Sequence, residues 1–169
     1  GDFLFSLPQT FFRKGVVFCG VSLTRAAPSD ARKIWEMQKR TFRPLYEKYR
    51  DAGSPYLEPL SKTEARLRHP DGAYYRIELD GQTAGALYLS LRGPGKFRLG
   101  PLFVLPEFQN RGVAQAAIRA LEARHGPGVW ELDTLLQEPG NCHLYEKMGY
   151  KRTGTQTVVN SRLTLIDYQ

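Results

Sequence analysis

The sequence predicts a single α/β (α+β) domain, a mixed, mostly antiparallel twisted sheet of about seven strands with helices on both faces. Three observations carry that expectation. Two alternating runs, Ala73–Asp80 and Gln82–Arg92, meet at Asp80-Gly81, a dipeptide suited to a tight hairpin turn. Two further strand signals, Phe97–Leu105 and Val129–Leu135, are separated by a helix-length segment, which calls for a β-α-β crossover between parallel neighbours. An apolar stripe at three- and four-residue spacing, through Ile34, Met37, Gln38, Thr41, Phe42 and Leu45, supplies a helix to cover one face.

Taken in chain order, Gly1–Gly20 reads apart from the rest. It is rich in Phe and holds turn signals at Leu7-Pro8 and Lys14-Gly15, so it is an extra strand, a dimer arm or a cloning remnant. The domain proper is expected over residues 21–169. Val21–Ala26 alternates as a short strand. Pro28, Ser29 and Asp30 open the first helix, with Ser or Asp as its cap. Pro44 lies inside the stripe and is expected to kink or split that helix. Asp51–Leu60 is a loop, and Ser61 with Glu64 forms a capping box for a second short helix. The hairpin strands follow, then the turn Gly93–Lys96. The third strand, Phe97–Leu105, carries Gly100-Pro101 in its middle, where a bulge or a break in pairing is expected. A helix from about Asn110 to His125 ends at Gly126-Pro127-Gly128. Val129–Leu135 is a strand, Gly140–Met148 a short helix, and Tyr150–Val159 and Leu163–Tyr168 close the chain as strands. The order is βααβββαβαββ.

The totals bound the function class. The chain has 169 residues, enough for one domain with a substantial core. Hydrophobic residues make up 41% and charged residues 24%, the balance of a globular chain in water, and no apolar run approaches the ~18 residues of a membrane span. Phe11–Val21 is basic and then briefly apolar with no small-residue cleavage site after it, so it is not read as a signal peptide. Two cysteines, Cys19 and Cys142, make no disulfide framework and fit a reduced, cytoplasmic setting. The histidines are scattered and no pair has ligand spacing, so no metal is expected. A net charge of +7 favours an anionic partner, but the basic residues form no block, which disfavours nucleic acid.

One stretch has a sharper meaning. "EFQNRGVAQAAI", from Glu107 to Ile118, puts Asn-Arg-Gly where a helix is about to start. The first N–H groups of a helix lack intrahelical partners, and the dipole favours an anion there. Gly112 lets a phosphate approach the backbone without meeting a Cβ, Ala114 keeps the next position small, and Arg111 adds a forked, permanently charged donor. The alternative is that Gly112 only lets the helix pack closely on the sheet. The spacing is neither a P-loop nor a dinucleotide fingerprint.

"VLPEFQNRGVA", Val104–Ala114, resembles motif A of the GNAT superfamily of acyl-CoA N-acyltransferases, whose core is Gln/Arg-x-x-Gly-x-Gly/Ala, here Gln109, Gly112 and Ala114. "NCHLYEKMGY", Asn141–Tyr150, is similar to the family's second signature, and the element order agrees. The resemblance spans roughly Val21–Gln169. It implies a GNAT-like fold and an N-acetyltransferase that uses acetyl-CoA as co-substrate and a small-molecule or peptide amine as acceptor. Backbone groups of Phe103 and Val104 would pair with the pantetheine arm where their strand splays from the next. The amides of Gln109, Asn110, Arg111, Gly112, Val113 and Ala114, with the Arg111 side chain, would hold the pyrophosphate. Asn141 would bond the pantetheine arm and Tyr145 would face the thioester sulfur. A homodimer is a family-level expectation.

The reaction needs a free amine, a donor to the oxyanion and a group to meet the leaving thiolate. Tyr145 is the candidate acid; its plainer role is to anchor the helix. A backbone N–H near Val104 is the candidate oxyanion donor. Glu78, Glu131, Asp133, Glu138 and relayed water all stay open as the base. Cys142 beside His143 is disfavoured as a nucleophile, because adjacent helical side chains point apart. Trp35, Phe42, Tyr46, Tyr49 and Tyr56 are expected to cover the acceptor side. Two other classes stay open: a non-catalytic acyl-CoA-binding regulator or sensor, and a nucleic-acid-binding domain resting on charge alone.

Overall fold

The computed structural model describes residues 11–13, 16–18 and 20–169. Strand β1 (Phe11–Arg13) pairs antiparallel with β2 (Val16–Phe18). Apart from these strands and Gly20, the readings made for Gly1–Gly20 lie outside the described residues.

The remaining strands form one sheet. In chain order they are β3 (Val21–Arg25), β4 (Gly72–Leu79), β5 (Gln82–Gly93), β6 (Lys96–Val104), β7 (Val129–Leu135), β8 (Arg152–Asn160) and β9 (Leu163–Tyr168). In space they run β3-β4-β5-β6-β7-β9-β8. β6 and β7 are parallel and the other neighbours antiparallel. The β4–β5 hairpin turns at Asp80 and Gly81, whose φ values of 50° and 81° are those a two-residue primed turn needs.

Helices α1 (Ala31–Tyr49) and α2 (Leu60–Arg68) cover one face, and α3 (Val113–His125) and α4 (Pro139–Lys147) the other. Alternation along β4 separates the two cores. Tyr74 packs with Ile34, Met37, Phe42 and Leu67, whereas Tyr75 packs with Val113, Ala117, Ile118 and Leu121. The unbroken buried run Ala84–Leu89 in β5 follows from cover on both faces.

Three local expectations are corrected. Pro44 does not split α1, which continues through it to Tyr49. Pro44 and Arg40 are exposed, so water can serve the Arg40 carbonyl that the proline ring leaves without a donor. The first helix has no side-chain cap either; the Asp30 carboxylate turns back to accept from the Ala27 N–H at 2.8 Å. The Ser61–Glu64 capping box does not form, because α2 begins at Leu60 with Pro59 as its cap residue and Ser61 already inside. Among the described residues no helix is long and apolar enough to cross a membrane.

The loop between α1 and α2 is held by one carboxylate. Glu58 takes a two-pronged bond from Arg66 at 2.8 and 2.8 Å, a 2.8 Å bond from the Gln38 amide and an ion pair from Lys62 at 2.8 Å. Gln38, fully buried, also donates to the Pro55 carbonyl at 2.8 Å, and Trp35 donates to that of Glu58 at 2.8 Å. Burial pushes the Glu58 carboxyl up, but the bonds from Arg66 and Lys62 outweigh it and hold the group below its ordinary 4.5. Glu58→Ala therefore strands a buried guanidinium and is expected to cost about 3 kcal/mol in denaturant unfolding. Because the folded pKa is depressed, that contribution is present above 4.5 and is lost as pH falls through the lower folded value. The gap between wild type and Glu58→Gln should accordingly narrow in acid.

Candidate functional site

The site begins where two strands stop pairing. β6 and β7 share the pairs Lys96–Val129, Phe97–Trp130 and Arg98–Glu131, and no more. Beyond Arg98, β6 stays on β5 while β7 turns to β9. Gly100-Pro101 forms the expected irregularity: Leu87 faces Leu102 and Leu89 faces Leu99, so β6 carries one extra residue there. The divergence opens a cleft of about 350 Å³. Its walls include Leu99–Leu102 of β6, Leu132–Leu135 of β7, Asn141 and Tyr145 of α4, and the end of α1.

The register decides which backbone groups face the gap. The Leu105 N–H donates to Ala84 at 2.7 Å, and Val104 lies opposite Gly85. In an antiparallel ladder this makes Ala86–Phe103 a hydrogen-bonded pair and Gly85–Val104 a non-bonded one. The N–H and C=O of Phe103 are thus committed to β5, and the expectation that Phe103 offers backbone groups to a ligand is corrected. Val104 points its groups the other way. Its carbonyl is already engaged by the Gln109 side-chain amide at 2.8 Å, which leaves the Val104 N–H on the side of β6 away from β5. Gly85 is required opposite, since a Cβ there would run into the Phe103 carbonyl.

The loop before α3 is drawn by two left-handed residues, Asn110 at φ 60° and Gly112 at φ 74°. A right-handed helix cannot include them, so α3 starts at Val113 rather than at Asn110. The first intrahelical bond runs from the Ala116 N–H to the Gly112 carbonyl at 3.0 Å. Among the described residues the amides of Asn110 to Gln115 have no backbone acceptor, as expected of a helix start. Val113 is buried in the core and Ala114 packs at its edge, so both can offer only main-chain groups. Arg111 is exposed, its guanidinium 5.8 Å from the Phe108 ring centre.

Asn141 and Tyr145, one helical turn apart, line the same cleft. The Tyr145 ring stands 6.0 Å from Tyr168 and 6.3 Å from Tyr150, and its hydroxyl has no hydrogen-bond partner among the described residues. Burial, with the charge of Asp133 behind it, pushes its phenol up to about 12. Of Glu78, Glu131, Asp133 and Glu138, Asp133 alone lines the cleft. Its carboxylate meets Arg98 at 3.0 Å and keeps 45% of its side-chain surface open. Burial nevertheless raises its pKa, with Arg98 opposing and Asp167 and Asp51 adding to the rise. Glu138 is instead bonded to Tyr49 at 2.6 Å and Lys48 at 3.0 Å.

Phe42, Tyr46 and Tyr49 line the cleft as expected; Trp35 and Tyr56 do not. Tyr56 stacks on Tyr46 at 5.2 Å, and Trp35 is tied to Glu58. Cys142 is buried, with its thiol 3.7 Å from the Leu135 carbonyl. Gln109→Ala should free the Val104 carbonyl and the loop together. The expected cost is about 1 kcal/mol in denaturant unfolding. Faster amide exchange should accompany it at residues 109–112.

Comparison with known proteins places these features in a family. The model of the acetyltransferase (GNAT) family matches residues 32–150. An acetyltransferase of Photorhabdus laumondii is 26% identical over 125 residues, covering 70% of this chain and 85% of the relative. Among solved structures, the ribosomal-protein-S18-alanine N-acetyltransferase of Escherichia coli superposes with a TM-score of 0.69 at 13% identity, over 88% of this chain and 91% of that one. The spermidine N-acetyltransferase of Vibrio cholerae, solved with CoA and spermine, gives 0.69 at 18% identity over 88% and 93%.

Proposed function

The chain belongs to the acetyltransferase (GNAT) family, and we propose that it moves an acetyl group from acetyl-CoA to a primary amine by direct attack in a ternary complex. The observation that carries this is the divergence of β6 from β7, which brings Asn141 and Tyr145 to one cleft and leaves the Val104 N–H on the edge of β6 away from β5. This geometry fits an acyl-CoA: a strand edge for amide groups, then a loop of amides for the pyrophosphate. Bound acetyl-CoA supplies a thioester carbonyl open to attack.

Each residue then has one task. The amides of Asn110 to Ala114 and the Arg111 side chain hold the diphosphate. Gln109 acts chiefly through its side chain, by fixing Val104. Asn141 bonds the pantetheine arm. The Val104 N–H donates to the carbonyl oxygen as it gains charge. Tyr145, with its raised pKa, stays protonated at any working pH and donates a hydrogen bond to the departing sulfur. Full transfer to a thiolate of ordinary basicity, about 8.5, would run uphill, so the phenol stabilises the leaving group more than it loses its proton. Asp133 is the carboxylate placed to accept the proton of the attacking amine. The relatives act on a ribosomal protein alanine and on spermidine, and we read the acceptor here as a small-molecule or peptide amine.

Calorimetry with acetyl-CoA and CoA tests the reading. Wild type should bind in the micromolar range and Gly112→Glu should not, since it adds a side chain and a negative charge at the diphosphate loop. Wild-type protein that binds neither ligand would overturn the acetyltransferase reading. In thiol-release assays Tyr145→Phe is expected to lower kcat by roughly 10²-fold or more with little change in Kd for acetyl-CoA. The rate should rise with pH as Asp133 ionises, since only the carboxylate accepts a proton. Burial places that limb above the ordinary 3.8, and Asp133→Asn should abolish it.

A further inference from the structure

We infer that the amine acceptor carries an oxyanion, a carboxylate or a phosphate, and that Arg92 is the residue that selects it; this rests on the acetyltransferase reading above. Strand register puts a row of charged side chains on one face of the sheet. Ser90 lies opposite Arg98, and Arg98 opposite Glu131. Asp133 is two residues beyond Glu131, so Ser90, Arg98, Glu131 and Asp133 point to the face that α1 and α2 cover, and Arg92, at the irregularity between Leu91 and Gly93, lines the same cleft. Arg66 of α2, Arg92 and Arg98 all line the cleft.

The three guanidiniums are not equivalent. Arg66 is half-buried and fully occupied by its two-pronged bond to Glu58. Arg98 is shared between Asp133 at 3.0 Å and Glu131 at 3.7 Å. Arg92 is exposed at the cleft wall and has no carboxylate partner among the described residues. A cation left unpaired beside the acceptor site repels a simple polyamine and attracts an anion. At the β7 wall the carboxylate of Asp133 is turned to the cleft near Tyr145. An acceptor with an amine at one end and an oxyanion at the other satisfies both walls. The guanidinium fork suits either a carboxylate or a phosphate.

The experiment compares matched amines by thiol release from acetyl-CoA: glycine, alanine and leucine against their amides, and O-phosphoethanolamine against ethanolamine. The anionic member of at least one pair should be favoured roughly tenfold or more in kcat/KM. The pair that responds identifies the source of the oxyanion. Arg92→Ala should raise KM for that substrate tenfold while leaving its neutral partner and the Kd for acetyl-CoA unchanged, and Arg92→Lys should restore part of the loss. Equal use of both members, no differential effect of Arg92→Ala, or acetyl-CoA binding without acetylation of any of these amines would each overturn the inference. In those cases Arg92 is a solvated surface arginine only. Failure of acetyl-CoA to bind wild type would instead remove the reading on which the inference rests.

Discussion

The parallel pairing of β6 with β7 ends after Arg98, and the site depends on that ending. A sheet that continued to pair would consume the outward groups of β6, close the cleft and bury Tyr145 against a strand. Two features set the break. Gly100-Pro101 inserts an extra residue into β6, and proline offers no ladder N–H. Past Glu131, β7 commits its residues to β9 through Leu132–Tyr168 and onward. β5 still holds β6 as far as Val104, with the Leu105 N–H closing the ladder. β6 thus has an open edge on one side beyond Arg98 and the β5 ladder, interrupted only at Gly100-Pro101 and near Arg92, on the other.

Two carboxylates, Glu58 in the loop between α1 and α2 and Asp133 at the cleft, show how partners decide protonation. Glu58 and Asp133 are both crowded, and burial pushes both upward. Glu58 meets a guanidinium, an ammonium and an amide, so its carboxylate form wins. Asp133 has Arg98 alone, and two further carboxylates, Asp167 and Asp51, add to the rise. The first arrangement suits a fastener that should never change charge. The second suits a group that exchanges a proton. The same comparison separates the arginines, since Arg66 and Arg98 have carboxylate partners and Arg92 has none among the described residues.

Much of this was legible in the sequence, and the reasons are local. Asp80-Gly81 between alternating runs fixes a hairpin through φ values few other residue pairs adopt. Gly100-Pro101 marks irregular pairing because of what proline lacks. Gln109, Gly112 and Ala114, with Asn141 and Tyr145 one turn apart, announce the family. What escaped the sequence depends on register and on distant partners. Whether Phe103 or Val104 faces the gap turns on a one-residue phase that alternation alone does not set. That Asp133 alone of the four carboxylates lines the cleft depends on the divergence of β7. The Ser61–Glu64 box looked sound by spacing and lost to a helix that begins at Leu60 behind Pro59. Pro44 looked like a break, yet sits where solvent can take the orphaned carbonyl.

Gln109 joins the two halves of the site. Residue spacing puts it in the loop proposed to bind the diphosphate, and its side chain reaches back to the Val104 carbonyl at 2.8 Å. That bond occupies the acceptor group of Val104, so in the proposed complex Val104 would present a donor without a competing acceptor beside it. It also fixes the distance between the loop that would grip the diphosphate and the amide that would meet the acyl group. A ligand anchored at one end is thereby set at the other. Placement of this kind relies on a rigid connection between the binding loop and the reacting centre. A residue chosen only for its role in the loop would not need a side chain able to donate, and glutamine's carboxamide supplies that donor without introducing a charge beside the thioester.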